Sequence, residues 1–179
     1  MNVLLSLSRG IDWLTDRFAV FAKWAVLASC MISAANAIVR YVFNYSSTAF
    51  TEIQWYLFAA CVMLGAAQVM RVNEHVRVDV LYGLYSGRTQ AKIDLAGMLV
   101  FVLPVMSVLV YYCWPLFAQM YRTGEMSSNA GGLIRWPAML MLPLGFSLLI
   151  LQAISECIKR WAWLNHAYDG DFHYERPLQ

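Results

Sequence analysis

Residues 71–92, RVNEHVRVDVLYGLYSGRTQAK, form a charged belt between two long apolar halves of the chain. Two membrane-length runs precede it within residues 18–70, and two follow within residues 93–158. Such a belt cannot rest in hydrocarbon. It must stand at one face of a bilayer, with a helical hairpin on each side. The composition agrees: with 60% hydrophobic and 13% charged residues, a soluble fold would expose large apolar patches. A net charge of +2 favours neither nucleic acid nor an acidic partner. The expected molecule is an integral membrane protein of one domain, residues 1–179.

Cationic side chains give the orientation. Arg71, Arg77, Arg88 and Lys92 mark the belt as cytoplasmic, and of the 13 Lys and Arg residues only Arg40, Arg122 and Arg135 fall on the opposite side. Both termini are therefore expected in the cytoplasm. The 7 tryptophans agree, with Trp13, Trp24, Trp161 and Trp163 near inner helix ends and Trp55, Trp114 and Trp136 near outer ones.

The segment 2–17 places Leu4, Leu7, Ile11, Leu14 and Phe18 on one side of a helix and Ser6, Ser8, Arg9, Asp12 and Asp16 on the other. This amphipathic N-terminal helix either lies on the cytoplasmic surface or continues straight into the first span. Ala35-Asn36-Ala37 has the form of a signal-peptide cleavage site. Asp12, Asp16 and Lys23 argue against cleavage, so the helix is expected to be retained. Span one covers about 18–43. Lys23 and Arg40 stand about 25 Å apart along it, each able to snorkel to its own interface. Between them Ala25, Ser29, Ser33 and Ala37 make a stripe of small side chains that admits a close neighbour.

An outer turn, 44–48, leads to span two, about 49–70, with Ser47 or Thr48 as cap and Glu52 in its first turn. In the belt, 71–88, Asp79 caps a short interfacial helix over 80–86 that Gly87 ends. Span three, about 89–121, begins at Thr89. Its uncharged part is about 40 Å long, so tilt or kinking is expected, with Pro104 and Pro115 as kink sites. The outer loop 122–135 is rich in Gly, Ser and Asn. Span four, about 136–160, starts with Pro137 in its first turn, and a polar tail covers 165–179. The expected fold is all-α: four transmembrane helices in two hairpins, with the interfacial helix between them.

Little in this pattern can perform chemistry. Near the midplane the polar groups are Ser29, Ser33, Asn36, Ser107 and Ser147, none of them ionisable. The 4 cysteines fall in different apolar runs without a C-x-x-C spacing, and His75, His166 and His173 stand apart in the belt and tail. No catalytic residue, cofactor or metal site is expected, and no enzyme activity. Glu52 is either a buried partner of Arg40 or of another subunit's cation, or a solvated residue favoured by the helix dipole. Asn36, Gln54, Gln68 and Gln152 suit hydrogen bonds between helices. Arg71, Arg77, Arg88 and Lys92 are candidates for lipid headgroups, although orientation alone also explains them. The candidate partner-facing residues are Ala25, Ser29, Ser33, Asn36, Ala37, Arg40, Glu52, Arg135, Trp136 and Pro137. A chain that spans four times without a site of its own points to a subunit that holds something else. The rival reading is a self-sufficient dimeric carrier or channel, which needs an essential membrane carboxylate; only Glu52 qualifies.

Two stretches resemble a known family. Glu74-His75-Val76-Arg77-Val78-Asp79-Val80-Leu81-Tyr82 is one. The other is Glu125-Met126-Ser127-Ser128-Asn129-Ala130-Gly131-Gly132 with Arg135-Trp136-Pro137 and Pro143-Leu144-Gly145-Phe146. Over about residues 10–160 they resemble the small, four-helix, DctQ-like membrane subunit of TRAP transporters, nearest the mannitol/chloroaromatic or 2-oxo acid branch. The resemblance implies a scaffold subunit in a bacterial inner membrane. Its implied partners are a large, sodium-driven, elevator-type membrane subunit and a periplasmic protein that binds carboxylates.

Overall fold

The computed structural model describes residues 2–45, 47–73, 85–129 and 131–168. Among them the chain is all-helical apart from an isolated antiparallel bridge between Met126 and Ile134. The helices are α1 (Asn2–Phe43), α2 (Thr48–Arg71), α3 (Gly87–Thr123) and α4 (Trp136–Leu164). All 4 are long and apolar enough to cross a membrane. The interfacial helix expected over 80–86, Arg77 and the belt motif at 74–82 lie wholly or mostly outside the described residues.

The N-terminal segment takes the straight path: α1 is one helix of 42 residues, about 63 Å long. Its facing is mixed, with Leu14 and Phe18 of the apolar side packed against the core and Ser6 and Arg9 of the polar side exposed. Ser8, Thr15 and Ala22 are buried at seven-residue intervals, and Ser29 and Asn36 continue the line half-buried. A seven-residue period keeps one helix face turned toward a neighbour along its whole length. Leu4, Leu7 and Trp13 point outward instead. Ser8, Asp12 and Thr15 are turned in because α4 supplies partners for them.

The centre is built from small residues. Ala22 and Ala25 of α1, Ala60, Leu64, Ala67 and Met70 of α2, and Leu148, Leu149 and Ala153 of α4 form one buried cluster. Without a hydrophobic drive between helices in lipid, close van der Waals approach holds them, and alanine and glycine permit it. The tightest point is Gly145 of α4. A β-carbon there would lie 2.7 Å from both the Cβ and the carbonyl oxygen of Met63. Helix α2 packs against both α1 and α4, while α3 packs chiefly on α4.

Helix α3 changes pitch at Met98–Val102, a π-helical turn in which the Leu103 N–H donates to the Met98 carbonyl five residues back. Pro104 follows. Its ring would meet the Val100 carbonyl in a regular α-helix and it has no N–H to give, so a widened turn relieves both conflicts. Beyond this turn no residue of Leu103–Thr123 is buried. Gly124, at φ 62°, ends the helix in the left-handed conformation that glycine adopts without strain.

Candidate functional site

The polar side chains gather in two layers, one at each end of α2. Glu52 and Arg71 define them, about 28 Å apart along the helix, close to the hydrocarbon thickness of a bilayer.

At the Glu52 end the loop after α3 folds back over α2. The Met126–Ile134 bridge, Ser127 N–H to Leu133 O at 2.9 Å and Arg135 N–H to Glu125 O at 3.0 Å close it into a small hairpin. Glu52, 2% exposed, receives all it needs from that loop. Oε1 accepts from the Ser127 hydroxyl and from Asn129 Nδ2 at 2.8 Å; Oε2 accepts from the Leu133 N–H at 2.7 Å. The Tyr56 hydroxyl donates to Ile134 O at 3.1 Å, and Arg135 pairs with Glu125 at 2.6 Å. Glu52 is thus neither solvated nor paired with Arg40. It is the post on which the loop is hung. A cleft of about 420 Å³ opens beside it, lined by Glu52, Trp55, Tyr56, Asn129, Arg135 and Met139 among others.

At the Arg71 end the polar side of α1 meets one face of α4. Ser8 and Ser155 share a hydrogen bond of 2.7 Å, and the Thr15 hydroxyl donates to Gln152 Oε1 at 2.8 Å. Asp12 accepts from Gln152, Ser155 and Lys159. Glu156 accepts from Gln152 and Lys159 and pairs with Arg160, which also reaches Asp94 of α3 at 3.3 Å. Arg71 of α2 pairs with Asp16 and lies 4.0 Å from Asp12. All four helices therefore converge on one network of paired charges. Glu156 and Arg160 are 3% and 2% exposed, so these ions are shielded and mutually compensated, not solvated.

Gln152 bonds between helices as the sequence suggests, and the spacing of its neighbours marks the rest of the network. On α4, Gln152, Ser155, Glu156 and Lys159 fall at i, i+3, i+4 and i+7, one helix face. On α1, Ser8, Asp12 and Thr15 do the same.

The sequence-derived candidates are dispersed. Ala25 is in the intrachain core. Ser29 and Asn36 are half-buried on the inward line of α1, and the Asn36 Oδ1 is shielded without a hydrogen bond. Ser33, Ala37 and Arg40 are exposed, with the Arg40 guanidinium 5.3 Å from the Tyr41 ring centre. Trp136 meets Tyr121 edge-on at 5.4 Å, and Pro137 lies in the first turn of α4. Of the lipid-headgroup candidates, Arg71 is engaged by Asp16, Arg88 meets His166, and Lys92 is exposed. Among the described residues no group of three or more His, Cys, Asp or Glu side chains could hold a metal ion.

The arrangement holds helices and a loop in place. No curated protein and no solved structure matches the chain. A family model described as "Tripartite ATP-independent periplasmic transporters, DctQ component" matches residues 29–162, about three quarters of the chain. Four membrane-length helices, the capped loop and that match together make this chain a member of the DctQ component family of tripartite ATP-independent periplasmic transporters.

Proposed function

We propose that this chain is a non-catalytic scaffold subunit of a sodium-driven importer of organic acids. It pairs with a large elevator-type membrane subunit that carries the substrate, and a periplasmic binding protein delivers the carboxylate. The observation that carries the reading is the contrast between the two polar layers and what lies between them. The layers are occupied by bonds within the chain, and alanine, leucine and a glycine-tight helix crossing fill the interval. A static brace needs such a sealed interior, whereas a carrier needs polar groups at depth.

In this reading the Arg71 end faces the cytoplasm with both termini, the Glu52 end faces the periplasm, and the membrane is the bacterial inner one. Ser33, Ala37 and Arg40 on the exposed face of α1, with Arg135, Trp136 and Pro137 at the start of α4, are the surfaces for partners. Ser29 and Asn36 are reached from the edge of the α1 seam. Arg88 and Lys92 stand where lipid headgroups pass. Glu52 serves the partners indirectly, by fixing the loop.

Reconstitution tests this. Liposomes holding the chain alone should show no sodium-dependent uptake of any carboxylate, and adding the large subunit and the binding protein should produce it. Uptake by the chain alone would overturn the scaffold role.

A further inference from the structure

The scaffold surface has a charge that nothing among the described residues answers. Arg71 ends the uncharged stretch of α2 and pairs with Asp16 of α1, which sets the level of the charged layer. A β-carbon on Gly65 would touch Ala22 at 3.8 Å, so α1 and α2 run side by side at that level. Lys23, the next residue, therefore stands about 10 Å from the Arg71–Asp16 pair toward the Glu52 end. It is exposed, with Phe21, Trp24 and Leu27 exposed around it. Among the described residues no hydrogen bond or ion pair reaches it. The nearest carboxylates on its own helix, Asp16 and Asp12, are engaged by Arg71 and Lys159.

We propose that Lys23 is a docking contact for the large membrane subunit, made with a carboxylate on a helix of that partner; this rests on the scaffold reading above. An ammonium in hydrocarbon is costly unless it is paired or pulled to the interface. A lysine stem leans toward the N-terminus and can snorkel, but it covers only roughly half of the distance to the charged layer. Outward from Lys23, the same face of α1 carries Leu27, Cys30 and Ala34, all exposed. Cys30 and Ala34 are small enough for a partner helix to approach closely, as a carboxylate on that helix must to meet Lys23. A lipid phosphate stands at headgroup level, on the far side of the distance that the stem does not cover. Charge and depth select an acidic protein partner.

The test is recovery of this chain with an affinity-tagged large subunit from membranes that express both. The variants are Lys23→Arg, Lys23→Met and Lys23→Glu, with the amount of inserted chain measured in parallel. Lys23→Arg should be recovered as the parent, Lys23→Met several-fold less and Lys23→Glu at least tenfold less. A Glu→Lys or Asp→Lys change at the facing position of the large subunit should restore Lys23→Glu. Lys23→Met puts no charge into hydrocarbon, so its result stands if Lys23→Glu inserts poorly. Parental recovery of both Met and Glu variants overturns the contact. So does a loss of tightly bound phospholipid with co-recovery intact, which assigns Lys23 to a lipid. If the parent chain itself is not recovered with the large subunit, it is the scaffold reading that fails.

Discussion

Gly145 offers the sharpest test of the packing. A β-carbon at this position would stand 2.7 Å from Met63 Cβ and from its carbonyl oxygen. Carbon contacts settle at about 3.5–4.0 Å, so Gly145→Ala must push α2 and α4 apart by roughly 1 Å. The obstacle includes backbone, which cannot swing aside. Overpacking of this kind costs about 1–3 kcal/mol, and a backbone obstacle belongs at the upper end. Alanine returns up to about 1 kcal/mol of helix propensity, which leaves a net loss of about 2 kcal/mol. For a chain of this size that lowers the melting temperature by roughly 4–8 °C. Two other helical glycines serve as controls. A β-carbon on Gly65 makes an ordinary 3.8 Å contact with Ala22, and one on Gly97 meets nothing within 4 Å. Gly65→Ala and Gly97→Ala should therefore be neutral or stabilising by up to about 1 kcal/mol. Melting in nanodiscs, followed by tryptophan fluorescence, reads all of them. A Gly145→Ala chain that melts at or above the parent would mean that α2 and α4 do not cross where described.

Other outcomes follow from the two layers and the widened turn. Arg160→Met removes the cation that Glu156 and Asp94 share in a shielded site and should cost about 3 kcal/mol; an unchanged melting temperature would show that Arg160 is dispensable to the network. Glu52→Gln sets an amide N–H against donors that now point at a carboxylate, so the loop over 124–135 should loosen. Trypsin should then cut after the exposed Arg122 and Arg135 several-fold faster, and parental cleavage would remove Glu52 from its role. Deleting one residue within Met98–Val102 removes the extra residue that the widened turn holds and sets the Pro104 ring against the carbonyl four residues before it, at a cost of about 3 kcal/mol. A drop in melting temperature reports it, and an unchanged one would show that the turn does not serve Pro104.

The spans were legible because hydrocarbon imposes a simple rule: a run without charge, closed by Arg71, by Gly124 or by the Lys159-Arg160 pair, has to cross. Pro137 at the start of α4 was equally plain. What could not be read was which side of a helix faces which neighbour. The segment 2–17 has an apolar and a polar side, and in water the apolar side would be buried. Here Ser8, Asp12 and Thr15 are drawn inward by a polar stripe on α4 that lies far along the chain, while Leu14 and Phe18 still pack on the core. Glu52 was misjudged for a related reason. Its donors are a hydroxyl, an amide and a single backbone N–H, supplied by Ser127, Asn129 and Leu133, and no spacing rule marks a loop that will fold back on a carboxylate.

The seam between α1 and α4 also sets an order of events during biosynthesis. Ser8 meets Ser155 across 147 positions of sequence, so the acids and hydroxyls near the N-terminus are made long before anything exists to satisfy them. At typical elongation rates of about 5–20 residues per second, that interval lasts roughly 7–30 s. Throughout it the nascent first helix carries Asp12 and Asp16 with no Lys159, and until α2 is complete no Arg71. A chain stalled before α4 is released would keep Asp12 without Lys159 and Gln152, and Ser8 and Thr15 without Ser155 and Gln152, so its first helix would lack the partners that seat it.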